Sequence, residues 1–227
     1  MCSSDLTVPG GSREVGVVSE HPGRPRIAAA AALLLPALAI TFLAAGESTL
    51  WADRSITIWV QEHLPAWLEP ATDFTNWFGR FHLVAPFVVV FATALAFVRR
   101  PAEALLALSS LTAWPLNNLL KRAVRSPRPE DLQVVEVSGW GFPSGHVMGL
   151  TVVAIVLVYI VLRGRARPAW RPAVGTAIIA FSFIVGLGRV HVGAHWPSDV
   201  LGAWLWSGIL SLLLIMLYER RSKALSY

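Results

Sequence analysis

Apolar positions along this chain are gathered into long, nearly uninterrupted runs, and the charged positions fall in the stretches between them. A helix lying on the surface of a soluble domain shows an apolar stripe on one side only; runs that are apolar all round are those of helices buried in a core or a bilayer. Six such runs can be read, at 27–45, 81–98, 102–120, 147–162, 173–187 and 200–217. Each is long enough to cross, or nearly cross, the hydrocarbon layer as a helix, the fourth and fifth being the shortest. Too little polar sequence remains to cover six such runs in a soluble fold. The pattern predicts an all-α fold, a six-span transmembrane helical bundle over 27–227, preceded at 1–26 by a flexible cytoplasmic tail rich in Gly, Pro, Ser and charge. No small-residue cleavage site with a polar sequel follows the first run, so it is expected to be retained as a helix rather than removed as a signal peptide.

The stretch between the first two runs has a different texture. Trp51, Trp59, Trp67 and Trp77 alternate there with apolar residues and with the acids Glu47, Asp53, Glu62, Glu69 and Asp73. Tryptophans among scattered charges suit short amphipathic helices in the headgroup layer, beside a lipid entry route or as a plain interfacial belt.

Charge sharpens the topology. The chain is 55% hydrophobic and 15% charged with a net charge of +5, but its basic residues stand at the ends of the apolar runs, which argues for orientation in a membrane and against nucleic acid as a partner. With the tail in the cytoplasm, Arg24, Arg26, Arg99, Arg100, Arg163, Arg165, Arg167, Arg171, Arg220, Arg221 and Lys223 all fall inside, as the positive-inside rule requires, and both termini are cytoplasmic. The exceptions are informative: Lys121, Arg122, Arg125 and Arg128 cluster on the outer side, where few cations are expected. The lone Cys2 has no partner in the chain and says nothing about redox compartment.

Three polar segments share that outer side. They are Lys121 to Pro129, the Pro143-Ser144-Gly145-His146 turn, and Arg189 to Asp199. Lys121, Arg128 and Arg189 supply the positive donors that phosphoryl transfer needs around its oxygens. The Ser144-Gly145 turn opens a helix, whose first N–H groups and positive dipole end favour an anion, and the Ser144 hydroxyl adds a donor. His195 and Asp199 are one helical turn apart, so the carboxylate can hold one ring nitrogen while the other attacks phosphorus. His146, in the phosphate-binding turn, is placed to protonate the leaving oxygen and later to activate water. Arg122 and Arg125 are read as headgroup contacts or steering charges, His191 as outside the site, and Asn117 and Asn118 as facing the bundle.

At these residues the sequence resembles the type 2 phosphatidic acid phosphatase family, whose signature reads Lys-x6-Arg-Pro, Pro-Ser-Gly-His and Ser-Arg-x5-His-x3-Asp. Here the parts are Lys121-x6-Arg128-Pro129, Pro143 to His146, and Arg189-x5-His195-x3-Asp199, with Gly188 in place of the usual serine. The resemblance implies an acid-phosphatase-like helical core and a metal-independent lipid phosphatase of the plasma membrane, its site on the extracytoplasmic face. It implies His195 as nucleophile, Asp199 as its partner and His146 as acid. It also implies substrates such as phosphatidic acid, phosphatidylglycerophosphate or undecaprenyl pyrophosphate, and no cofactor; no carboxylate cluster for magnesium stands near the motif residues. A phosphotransferase sharing the intermediate and a non-catalytic lipid-binding protein are the competing readings. Oligomeric state is not legible.

Overall fold

The structure, a computed structural model, describes residues 24–46, 50–163 and 170–224. The tail before Arg24 and the basic loop carrying Arg165 and Arg167 lie outside the described residues. Among the described residues nine α-helices follow one another: α1 (Arg24–Ala44), α2 (Asp53–His63), α3 (Glu69–Phe78), α4 (Phe81–Phe97), α5 (Pro101–Ser109), α6 (Ala113–Val124), α7 (Gly145–Leu162), α8 (Arg171–His191) and α9 (Pro197–Ala224). The described residues contain no strand.

α7 is the central helix. Its sequence is apolar on every side, and it packs against α6, α8 and α9, burying Val147, Met148, Leu150, Val152, Val156 and Ile160. Thr151 answers to this burial by sharing a hydrogen bond with Ser182 of α8, so its hydroxyl is not left unpaired. α1 lies along α9 at the rim, and its Leu35 and Phe42 are exposed, as are Phe97 on α4 and Ile179 on α8. Such exposure is costly in water and natural in lipid.

Among the described residues four helices, α1, α7, α8 and α9, are long and apolar enough to cross a membrane, and a fifth span arises if α3 and α4, bent by 77°, are taken together. The runs expected at 27–45, 147–162, 173–187 and 200–217 therefore appear, each lengthened by a few polar residues at its ends. The run at 102–120 does not form one regular helix. It divides into α5, a 3₁₀ turn at Ser110–Thr112 and α6. Pro115 has no N–H for the carbonyl four residues before it. Ser109, Ser110 and Thr112 turn their hydroxyls back onto the carbonyls of Leu106, Ala107 and Ser109 at 2.6 to 2.7 Å. The amphipathic pair expected between the first two runs is present as α2 and α3, with Trp51, Trp59, Trp67 and Trp77 all exposed.

Candidate active site

The end of α6, the start of α7, the end of α8 and the start of α9 meet at one end of the bundle. Hydrogen bonds stitch the loops between them together: Gly141 N donates to Ser126 O at 2.8 Å, and Ser144 N to Asp199 O at 3.2 Å. Gly193, with φ of +66°, lets the turn before His195 pass beneath residues 131–134; a Cβ there would lie 2.1 Å from Leu132 O.

At the centre is a buried pair. His195 Nδ1 stands 3.3 Å from Asp199 Oδ2, and Oδ2 also accepts from Trp196 N at 3.1 Å. Arg128 Nη1 lies 3.3 Å from His195 Nε2. A guanidinium can only donate, so Nε2 carries a lone pair and the proton sits on Nδ1, facing the carboxylate. Burial pushes the pKa of His195 well below its ordinary value, and the nearby cations Lys121, Arg128 and Arg189 push the same way. The ring is thereby held neutral at physiological pH.

Arg128 is fixed by the carbonyls of Gly139, at 2.7 Å from Nε, and of Ala194. Lys121 donates to the carbonyls of Trp140 and Gly141 at 2.6 and 2.7 Å. Arg189, only 6% exposed, gives Nη1 to Asn76 Oδ1 at 3.1 Å, and its Nε has no partner among the described residues. Ser144 is the N-cap of α7, yet its hydroxyl makes no capping bond and is a second buried group without a partner among the described residues. Buried donors are rarely left unpaired, and anion sites are a common exception. Gly145 follows; Asn117, buried as expected, braces this turn through its Nδ2 on Pro143 O at 2.9 Å. His146 points Nε2 at Asn76 O, 3.1 Å away.

All eight residues singled out in the sequence, Lys121, Arg128, Ser144, Gly145, His146, Arg189, His195 and Asp199, thus belong to this one end of the fold. Arg122 and Arg125 are exposed. Asn118 is exposed, contrary to the expectation that it faces the bundle: one residue along a helix is a rotation of about 100° away from buried Asn117. His191 contributes its carbonyl to Gln61, and its ring makes no hydrogen bond among the described residues. Among the described residues no group of three His, Cys, Asp or Glu side chains is disposed to hold a metal ion.

Two contributors were missed in the sequence. Asn76 touches both Arg189 and His146, and nothing in the aromatic-rich stretch around it marks it out. Asp53, 3% exposed at the start of α2, accepts from Ser198 N at 2.9 Å and Ser198 Oγ at 2.7 Å, so it caps α9 beside His195 and Asp199 from another helix. The clue available was an acid in a stretch otherwise suited to the headgroup layer. Asp53→Ala leaves the Ser198 N–H unpaired and is expected to cost about 1–3 kcal/mol. A lowered unfolding midpoint of the detergent-solubilised protein, together with weakened activity, checks this; unchanged values for both contradict it.

An all-helical membrane bundle with a buried histidine–carboxylate pair facing three cations defines a membrane phosphatase. Comparison with known proteins agrees. Residues 102–223 match the PAP2 superfamily. Phosphatidylglycerophosphatase B of Bacillus subtilis is 27% identical over 174 residues, 76% of this chain and 85% of that protein. A lipid A 1-phosphatase of Rhizobium etli is 36% identical over 115 residues, 46% of this chain and less than half, 45%, of that protein. The crystal structure of a transmembrane PAP2-type phosphatidylglycerolphosphate phosphatase from Bacillus subtilis superposes with a TM-score of 0.71 at 26% identity, covering 84% of this chain and 96% of that one. The chain belongs to the PAP2 superfamily and is a membrane lipid phosphatase.

Proposed function

We propose that the protein hydrolyses a lipid phosphomonoester through a phosphohistidine on His195. The observation that carries this is the orientation of the buried ring, with Nδ1 on Asp199 and Nε2 turned toward Arg128. A phosphate held by Lys121, Arg128, Arg189, the Ser144 hydroxyl and the first N–H groups of α7 presents its phosphorus to Nε2. The Nε2–P bond forms as the P–O bond to the lipid breaks, and the leaving oxygen takes a proton from His146. Because Nε2 of His146 faces a carbonyl, which can only accept, the mobile proton of that ring is the one on Nδ1. Water then attacks phosphorus, giving its proton to His146; the Nε2–P bond breaks and inorganic phosphate leaves.

The reading includes six crossings: α1, α4, the α5–α6 run, α7, α8 and α9, with α2 and α3 in the headgroup layer. α4 has 17 residues, about 25 Å of helix, and the α5–α6 run is longer. Both termini are then cytoplasmic and the site extracytoplasmic, in keeping with the distribution of Lys and Arg. Two of the relatives are named for phosphatidylglycerophosphate and for the 1-phosphate of lipid A, and another is named an undecaprenyl-diphosphatase; the first two support a phosphomonoester on a lipid headgroup.

The test is phosphate release by purified protein in excess chelator, from phosphatidic acid, phosphatidylglycerophosphate and undecaprenyl pyrophosphate, with acid-labile label trapped from a radioactive substrate. Release from the monoesters with label on His195 is expected. A strict requirement for divalent metal, or turnover without a labelled intermediate, overturns the mechanism, and label recovered on an alcohol acceptor makes the enzyme a phosphotransferase.

A further inference from the structure

We propose that Asn76 of α3 is a positioning residue of this site, holding Arg189 through its side chain and His146 through its main chain, so that a helix outside the family-matched segment completes the catalytic geometry. The proposal rests on the reading of Arg189 as a phosphate holder and His146 as the acid.

Three contacts converge on this residue. Asn76 Oδ1 accepts from Arg189 Nη1 at 3.1 Å, Nδ2 donates to Gly188 O at 3.4 Å, and the main-chain oxygen accepts from His146 Nε2 at 3.1 Å. The guanidinium is donor-only, so the amide has a single sensible orientation, with its oxygen toward Arg189. A carbonyl likewise accepts only, which fixes a proton on Nε2 of His146 and leaves Nδ1 for proton exchange. α3 is seated closely enough for these bonds because Gly188 has no side chain: a Cβ there would lie 2.9 Å from Thr72 Cβ. A cavity of about 400 Å³ adjoins the contact, with Asp73, Asn76, Trp77 and Arg80 on one side and His146 and Arg189 on the other. Phe74 and Trp77, neighbours of Asn76, are exposed on a helix suited to the headgroup layer, so the same turn of α3 touches both the lipid surface and the site.

An amide suits this position better than a carboxylate. It directs the guanidinium while leaving its charge for the substrate, whereas an aspartate would spend that charge inside the protein and repel a phosphate dianion. This separates positioning from packing. Asn76→Asp is nearly isosteric and keeps the acceptor toward Arg189 but loses the donor to Gly188 O, so a purely structural role shows as a lowered unfolding midpoint with KM and Ki little moved. Positioning instead raises KM and Ki, more for Asn76→Asp than for Asn76→Ala.

Asn76→Ala is expected to raise KM for a lipid phosphate and Ki for inorganic phosphate by about tenfold, and Asn76→Asp by about a hundredfold, with unfolding midpoints near that of the unaltered protein. In an Arg189→Ala background, Asn76→Ala is expected to add little, because the two act through one contact. An Asn76→Asp enzyme as good as, or better than, Asn76→Ala overturns the proposal, as does full additivity with Arg189→Ala, which remains measurable if Asn76→Asp fails to fold. If instead Arg189→Ala alone leaves KM and Ki unchanged, the assignment of Arg189 as phosphate holder is what fails.

Discussion

Replacing His195 by alanine is expected to abolish phosphate release, a loss of at least about 10⁴-fold, and with it any acid-labile covalent label. No other side chain can substitute, because the position of Nε2 is set from both sides: Asp199 holds the far nitrogen at 3.3 Å and Arg128 holds the near one at 3.3 Å. Asp199→Asn is expected to cost about 10³- to 10⁴-fold, since an amide can present its own N–H to Nδ1 and so favour the wrong tautomer, leaving Nε2 without its lone pair. Phosphate assays and label trapping on the same preparations check both. His146→Ala is expected to slow both the formation and the hydrolysis of the labelled enzyme, because one side chain serves as acid in the first step and as base in the second. Substantial turnover by the His195→Ala protein would identify a different nucleophile.

Arg128→Ala is expected to reduce kcat/KM by about 10³-fold, and Arg128→Lys to recover little of it. The guanidinium reaches the carbonyls of Gly139 and Ala194 and the ring of His195 together, a spread that one ammonium does not span. The same residue shapes the pH profile. His195 has a folded-state pKa depressed below its unfolded value, first by burial and then by Lys121, Arg128 and Arg189, so it stays neutral until the pH falls well below about 6.5. The limb of log kcat/KM against pH that reports His195 therefore lies on the acid side of that value. Removing Arg128 takes away one depressing charge, and the limb should move upward in pH. Folding stability follows the same sign: protonating this buried ring is disfavoured in the native state, so its contribution becomes destabilising as pH drops below the unfolded pKa. An unmoved limb in Arg128→Ala would show that the guanidinium does not govern this ring.

Much of the site was legible because its chemistry is written in residues that are rare where they occur. Cations gathered against the charge bias of the other loops, and a histidine one turn from an aspartate, have few structural explanations, so Lys121, Arg128, Arg189, His195 and Asp199 stand out before any coordinates. Asn76 and Asp53 do not. Each acts from a different helix through one or two hydrogen bonds, and a single polar residue in an amphipathic stretch looks the same whether it meets water or an arginine. Helix positions were legible where apolar character was unbroken, as in α7, and poorly legible at 102–120. There hydropathy records composition but not the missing N–H of Pro115 or the hydroxyls that bond back onto the helix. Asn117 and Asn118 show the remaining limit: both are polar in an apolar run, and only the rotation of the helix decides which one meets the core.

Gly188 stands where the signature that the sequence resembles reads serine, and taken alone it looks like a lost contact to phosphate. Its surroundings change that meaning. Thr72 occupies the space a side chain at 188 would need, and both belong to the contact between α3 and α8. The nearest atoms are the Cβ and Cα of Thr72, which a smaller side chain at 72 would keep, so a serine at 188 requires α3 itself to stand further from α8. Glycine at 188 thus sets how near α3 can come to α8, and through that spacing how Asn76 meets Arg189 and His146.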